Sequence, residues 1–319
     1  MIALPRPEVV ITHESDLDGL VAGLLMQQLA QRMHNQRPPL EAYAADHWRQ
    51  RALRESAAWV ADFALEPRLD LSNWVVLDHH PTQTVAKNAV HVFAPDKSAA
   101  LIVYELCREQ GLGSPELDRL VHLCNVSDLF LRDDPDFLTA MDHASLVKSY
   151  QFWNLHDLIE GELERLLDHP LLEVMSVKRR VEDPIGCQWS RSHLVEISPT
   201  VGLVDMVLGN QNLILDQLLE EKASPHPVLA SLYRKGGGTI IVSLRSRNGE
   251  ALAIAQRLQG GGHHNAAGAV LPRTIQRIPD AVDYLRKVLN PAPPRPATPF
   301  NSLESIFDEI QSAKPGNPQ

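Results

Sequence analysis

Cysteine, aromatic residues and positive charge are all scarce in this chain. The three cysteines, Cys107, Cys124 and Cys187, are odd in number and far apart. That argues against a disulfide framework and any CxxC zinc site, and points to a reducing compartment. Thirty Lys plus Arg against 40 Asp plus Glu leave a formal charge of -10. Bulk electrostatics therefore disfavour a broad phosphate-tracking surface for long nucleic acid, while leaving room for a local basic pocket. Aromatics are 5% of residues, which supplies few platforms for stacking the bases of a single strand. No apolar run approaches the length of about 20 residues that crosses a bilayer. The opening MIALPRPEVV also lacks the charged and then apolar regions of a signal peptide. The expectation is a soluble, cytoplasmic protein without a membrane partner. Its 319 residues predict two domains, at about 100 to 200 residues each.

What is present is an alternation of short apolar runs with helical segments. Val9 to His13 (VVITH) reads as a buried strand opening through a DLDG turn into a helix from about Gly19 to Gln31. WVADFAL (Trp59 to Leu65) and WVVL (Trp74 to Leu77) are further strand-like runs, each with an Asp at or near its end. Strand, helix, strand order predicts an α/β fold with a parallel sheet, whose ligands bind beyond the carboxyl ends of the strands. From Asp134 to about Asp183 the pattern is charged and helical, and Asp183-Pro184-Ile185-Gly186 supplies breakers. A second, smaller α/β pattern follows, with a strand near His193 to Ile197, a helix near Gln211 to Glu221 and a strand at Thr239 to Leu244. The expected division is a first α/β domain at 1–135, a helical linker at 136–186, a second domain at 187–290 and a Pro-rich disordered tail at 291–319. Asn301 and Glu304 of the tail could form a capping box, and the tail is a candidate interaction motif.

Three clusters carry chemistry. His13-Glu14-Ser15-Asp16-Leu17-Asp18-Gly19 packs a His and two Asp into the turn after the first strand. A helix N-cap is one reading and metal ligation another, while an EF-hand is excluded by the missing sixth-position Gly and closing Glu. Asp78-His79-His80 follows another apolar strand, where it can supply a ligand, its orienter and a phosphate contact. Asp62 and Asp128 end or follow largely apolar runs. A carboxylate in such a setting costs several kcal/mol unless it is paired or binds a cation. Together these groups make a mixed O and N ligand set suited to Mn²⁺ or a similar ion. The third cluster is Gly260-Gly261-Gly262-His263-His264-Asn265-Ala266-Ala267-Gly268, preceded by Ser243-Leu244-Arg245-Ser246. No Gly-Lys-Ser/Thr follows, so it is not a Walker loop. It reads either as a flexible helix-to-strand loop or as an anion cradle of backbone N–H groups with His263.

The strings THESDLDG, VADF, LDHH, NVSDLF and GGGHHNAAG, in this order, resemble the DHH phosphoesterase superfamily, in the branch with a C-terminal DHHA1 domain. That branch includes RecJ-like exonucleases, nanoRNases and phosphodiesterases acting on short or cyclic dinucleotides, and the resemblance covers roughly residues 8 to 290. It implies a DHH domain, a helical linker and a DHHA1 domain holding substrate. It also implies two divalent ions, Mn²⁺ first and Mg²⁺ or Co²⁺ as alternatives. His13, Asp16 and Asp62 would hold one, and Asp18, Asp62, His79 and Asp128 the other, with Asp62 as the bridge. Asp78 would orient the histidines, His80 would contact the scissile phosphate, and a metal-bridging hydroxide would attack it. Arg245, His263 and the backbone at Gly261 and Gly262 would hold the substrate's terminal phosphate or nucleotide.

The resulting expectation is a metal-dependent phosphodiesterase acting on short oligonucleotides or dinucleotides. A RecJ-type single-strand exonuclease is the alternative within the enzyme class, and a non-catalytic scaffold subunit the alternative outside it. Every ligand position holds a competent residue, which disfavours the scaffold. An inorganic pyrophosphatase would share the first domain but not GGGHHNAAG.

Overall fold

A computed structural model describes residues 4–235 and 238–290, so the tail at 291–319 and its capping box lie outside the described residues. Five strands, β1 (Val9–His13), β2 (Leu40–Tyr43), β3 (Ala58–Ala61), β4 (Trp74–Asp78) and β5 (Val90–Phe93), form one sheet in the order β2-β1-β3-β4-β5, every pair parallel. Both faces are covered. Val10, Trp59, Ala61, Val75 and Leu77 pack under α1 (Leu17–His34), α3 (Ala99–Glu109) and α4 (Pro115–Asp128). The alternate residues Val9, Ile11, Ala58, Val60, Trp74 and Val76 pack with Trp48 of α2 (Ala45–Gln50) and with Phe63, Leu65 and Leu69. Period-two alternation with apolar residues on both faces is what a covered parallel sheet demands. The strand order reverses between β1 and β3, and at such a point the connections diverge and leave a crevice at the carboxyl ends.

The strand-like run Trp59 to Leu65 is only half strand. β3 stops at Ala61 because Asp62 takes φ 59°, a left-handed conformation that an extended ladder cannot continue. The expected helix from Gly19 to Gln31 is longer at both ends, with Asp16 as its N-cap and Asn35 as its left-handed C-cap.

Helices α5 (Phe137–Tyr150), α6 (Phe152–Leu158) and α7 (Leu171–Ser192) follow. Here one expectation is corrected, since α7 runs straight through Asp183-Pro184-Ile185-Gly186. Pro184 costs about 3 kcal/mol in a helix interior. Burial of the following turns, including Cys187 beside Ile214, Leu215 and Leu218 of α8 (Gln211–Glu220), offsets it. Gly186 is a close approach rather than a breaker: a Cβ there would lie 2.2 Å from the Leu208 carbonyl oxygen. Tertiary packing outweighs local propensity.

The second sheet joins β6 (Leu194–Ser198), β7 (Val201–Val204), β8 (Val228–Arg234), β9 (Ile240–Ser246), β10 (Gly261–Gly262) and β11 (Ala266–Val270) in the order β10-β11-β9-β8-β7-β6. Only β7 and β8 pair in parallel. Helices α9 (Glu250–Arg257) and α10 (Ile278–Leu289) complete its core through Ala251, Ile254, Ala255, Ala281, Leu285 and Leu289. Among the described residues no helix is long and apolar enough to cross a membrane.

Candidate metal centre and phosphate cleft

The carboxyl ends of β1, β3 and β4 converge at the crevice. His13 ends β1, and its Nδ1 lies 2.7 Å from Asp16 Oδ2 and 3.5 Å from Asp62 Oδ2. Asp16 does two jobs, because its Oδ1 also accepts from Gly19 N at 3.0 Å as the cap of α1. The N-cap and ligand readings of this turn are therefore compatible. Gly19 is there because α1 sits directly on β1: a Cβ would fall 1.9 Å from the His13 carbonyl oxygen. Thr12 Oγ1 donates to Gly19 O at 2.6 Å and ties helix to strand.

Asp18 is buried, and its two oxygens accept from Ala99 N and Ala100 N at 2.8 Å each. Those donors open α3, where unpaired N–H groups favour an anion. Asp62, also buried, holds its Oδ1 3.4 Å from His79 Nε2 while its Oδ2 faces His13. The same His79 nitrogen lies 3.5 Å from Asp128 Oδ2 and 3.9 Å from Asp18 Oδ2. Asp128 is the last residue of α4, so this ligand arrives from a helix rather than from a strand end.

Asp78 was expected to orient both histidines, and it engages only His80. Its Oδ1 lies 2.8 Å from His80 Nδ1, and its Oδ2 accepts from His80 N at 3.0 Å. Neither ring nitrogen of His79 has a well-formed hydrogen bond. Asp62 Oδ2 and Asp128 Oδ2 are buried without one as well. Two donor sets result, His13 with Asp16 and Asp62, and Asp18 with His79 and Asp128, and the ligand atoms within each lie no more than 4.8 Å apart.

Charge is frustrated in this arrangement. Burial, with the neighbouring Asp62 charge, pushes the Asp18 carboxyl up to about 7, and burial likewise raises Asp128. Burial would raise Asp62 too, but the His13 and His79 rings beside it hold it well below the usual carboxylate range. Burial would depress His79, yet the adjacent Asp62 carboxylate and the Asp18 charge raise it to about 9. Crowded carboxylates with orphaned oxygen and imidazole atoms are what a bound cation would satisfy, so the residues present fit divalent ions.

The second sheet closes on this centre through the β10–β11 hairpin. The His263 ring lies 5.0 Å from that of His80, nearly parallel at 24°, and 5.1 Å from that of His79. Burial, then the His80 and His79 charges, push His263 down to about 4, so it stays neutral. The glycine string is a strand pair rather than a flexible loop. Gly262, at φ 130°, is required by that hairpin, whereas a Cβ at Gly261 would meet nothing within 4 Å. Arg245 is half-buried on β9. Its guanidinium sits 4.9 Å over the Phe130 ring, and its Nε is buried without a partner. Burial lowers its pKa to about 10.

A cleft of about 1260 Å³ opens beside the centre, bounded by His13, by Lys148 of α5, by Trp153 of α6, and by Ile241 and Ser243 of β9. Lys148 was not singled out in the sequence, where KSYQFWN carries no local signal that it faces a site.

Residues 209–290 match the DHHA1 domain family. The fold of the whole chain is shared with solved structures, among them a DHH domain. The structure is similar to PggH of Vibrio cholerae, a pGpG-specific phosphodiesterase, at a TM-score of 0.53 and 15% identity, over 88% of this chain and 97% of that one. It is also similar to the DHH domain of a member of the s1p family of ribosomal proteins, at 0.52 and 15%, over 97% of this chain and 88% of that one. RecJ of Thermus thermophilus, in complex with Mn²⁺, matches at 0.49 and 15%, over 97% of this chain and 57% of that one. No curated protein matches the chain by sequence.

Proposed function

We propose that the chain is a metal-dependent phosphodiesterase that hydrolyses nucleotidyl phosphodiester bonds in short oligonucleotides or dinucleotides. The observation that carries this reading is the split of Asp62, one oxygen facing His13 and the other facing His79. One carboxylate between two donor sets is what a paired-ion centre requires. His13, Asp16 and Asp62 would hold one ion, and Asp18, Asp62, His79 and Asp128 the other, Mn²⁺ first in expectation and Mg²⁺ or Co²⁺ as alternatives. When bound, such a pair lowers the pKa of water and neutralises charge developing on a phosphoryl oxygen.

The remaining work falls to the protein's own side chains. His80, fixed through Nδ1 and its backbone N–H by Asp78, keeps Nε2 for a non-bridging oxygen of the scissile phosphate. His263, neutral and stacked on His80, caps the centre from the second sheet and limits access of bulk water. Arg245 supplies an anion site in low dielectric, where an ion–phosphate contact is strengthened. The similarity to PggH supports the phosphodiesterase class, with activity on dinucleotides as the proposal for this chain.

The test is purified protein with Mn²⁺ against labelled oligonucleotides of graded length and sugar type, beside dinucleotides and 3′-phosphoadenosine 5′-phosphate. His263→Ala and Arg245→Ala should weaken substrate engagement with both ions retained, and loss of the ions from either variant would overturn the proposed partition. Absence of hydrolysis on every substrate, with ions bound, would favour a non-catalytic scaffold.

A further inference from the structure

The α7 helix turns an apolar face to solvent. Val174, Val177, Val181, Ile185 and Trp189 are each 40% to 56% exposed, and spacings of three and four residues set them along one stripe of the helix. The opposite face does the packing, through Met175, Gly186, Cys187 and Ser190. Single exposed apolar residues need no explanation, whereas a continuous stripe about 22 Å long marks an interaction surface. Two exposed cations, Lys178 and Arg180, stand on either side of it. Among the described residues Arg180 donates only to the Ser176 carbonyl, and Lys178 reaches only Glu182, at 3.8 Å.

The chain itself carries a segment of matching chemistry. After the spacer PAPPRPATP (291–299), the sequence FNSLESIFDEIQS (300–312) places Leu303, Ile306, Phe307 and Ile310 at i, i+3, i+4 and i+7. Those are the anchor positions by which an amphipathic helix lies on an apolar surface. Its charged residues are Glu304, Glu309 and Asp308, with no Lys or Arg among them, and at helical spacing Glu304 and Glu309 flank the apolar face on opposite sides. A helix of this length is marginal in water alone and gains stability from a face to bury. Reach follows from where the described chain stops. Asn290 Nδ2 donates to Ile197 O at 2.6 Å, and Ile197 follows Ser192, the end of α7, by five residues, at most about 18 Å. The nine residues of the Pro-rich spacer extend about 28 Å. We propose that residues 300–312 dock on the exposed Val174–Trp189 face of α7 in the same chain, with their carboxylates toward Lys178 and Arg180. The tether favours this occupant over a second copy, because it holds the segment at an effective concentration in the millimolar range.

The experiment uses the full chain. In hydrogen exchange read by mass spectrometry, the backbone amides of residues 303–312 should exchange about tenfold or more slowly than an unstructured chain of that sequence. Val181→Asp, at an exposed position, and Phe307→Asp should each abolish that protection. Arg180→Glu should weaken it, and Arg180→Glu combined with Glu309→Arg should restore it. A second measurement reports proximity directly. The native cysteines are all buried, so Val181→Cys with Phe307→Cys, treated with a mild disulfide oxidant, should give a link within one chain, found in a non-reduced digest. Exchange at the unstructured rate in wild type, or protection that survives both Val181→Asp and Arg180→Glu, would overturn the inference. Covalent dimers in place of the internal link, or protection lost on dilution, would overturn it in favour of a second copy. None of these readouts involves turnover, so the phosphodiesterase reading is tested separately.

Discussion

At the scale of single residues, Asp62 is the position on which the centre depends. It combines a left-handed backbone, near-complete burial and two oxygens directed at different partners. Strain of this kind persists where the surroundings over-determine it. Replacing it with Asn keeps the shape and removes the charge seen by both donor sets. Asp62→Asn should lower turnover by on the order of a hundredfold or more and reduce bound metal at both sites, whereas Asp16→Asn should disturb one. Metal content by mass spectrometry of the native protein, read beside the rate, checks this, and full activity in metal-stripped buffer would refute the paired-ion reading.

A second residue-scale prediction concerns pH. Arg51 is gripped by Glu41 of β2 and Glu55 at 2.8 and 2.7 Å, pinning the loop that leads into β3. The Arg51 hydrogen bonds pull the Glu55 carboxyl from 4.5 down to about 2. A depressed carboxylate stabilises the fold above its unfolded pKa, and the contribution disappears as pH falls through the folded one. Glu55→Gln should therefore cost about 1–2 kcal/mol at pH 7, after allowance for solvent screening. The difference in Tm should shrink below about pH 4.5 and vanish near pH 2. A pH-independent difference would show that the pair contributes nothing through charge.

At the scale of elements, the connection between the two sheets depends on how α5 is held to α7. Arg179 of α7 grips Asp142 of α5 through two bonds of 2.7 and 2.9 Å, with both side chains largely buried. Breaking such a pair strands one charge, so Asp142→Asn should cost about 1–3 kcal/mol in urea unfolding. Because α5 lines the cleft through Ser145, Val147 and Ser149, and Arg179 lines it from α7, the same variant should raise KM more than it lowers kcat, and an unchanged KM would separate the pair from the cleft. The continuation of α7 through Pro184 belongs to this scale. The helix keeps its course because its C-terminal turns pack on α8 and the second sheet, a contact that no local window contains.

The whole molecule brings together surfaces that are far apart in the chain. Arg132, just after α4, pairs with Asp216 at 2.8 Å and with Glu220, both on α8, and Arg245 of the second sheet rests on Phe130 beside it. With the hairpin histidine on His80, these contacts hold the second sheet over the carboxylate centre. The cleft is finite, and the chain as a whole carries a net charge of -10. Bound ions offset charge only at the centre. Catalytic efficiency should accordingly be highest for substrates of a few nucleotides and fall with length, since stacking worth about 1 to 3 kcal/mol per base has few aromatic platforms. Processive degradation of a long single-stranded DNA, faster per end than cleavage of a dinucleotide, would overturn this and favour a RecJ-type exonuclease.

The amino-acid sequence by itself determined which groups could do chemistry and roughly where along the elements they stand. Apolar strands followed by Asp and His are visible in any short window, because period-two burial and strand-end polarity are local properties. His13, Asp62, Asp78, His79 and His80 were legible for that reason. The tertiary structure decided the rest. Asp18 is held by Ala99 and Ala100, more than eighty residues away, and Lys148 lines the cleft only because α5 packs against α1, α4 and α7. Which side chains meet depends on the order β2-β1-β3-β4-β5 and on closure of the second sheet. Such long-range pairings arise from burying a shared core, and that information is spread over the whole chain rather than written at the residues it brings together.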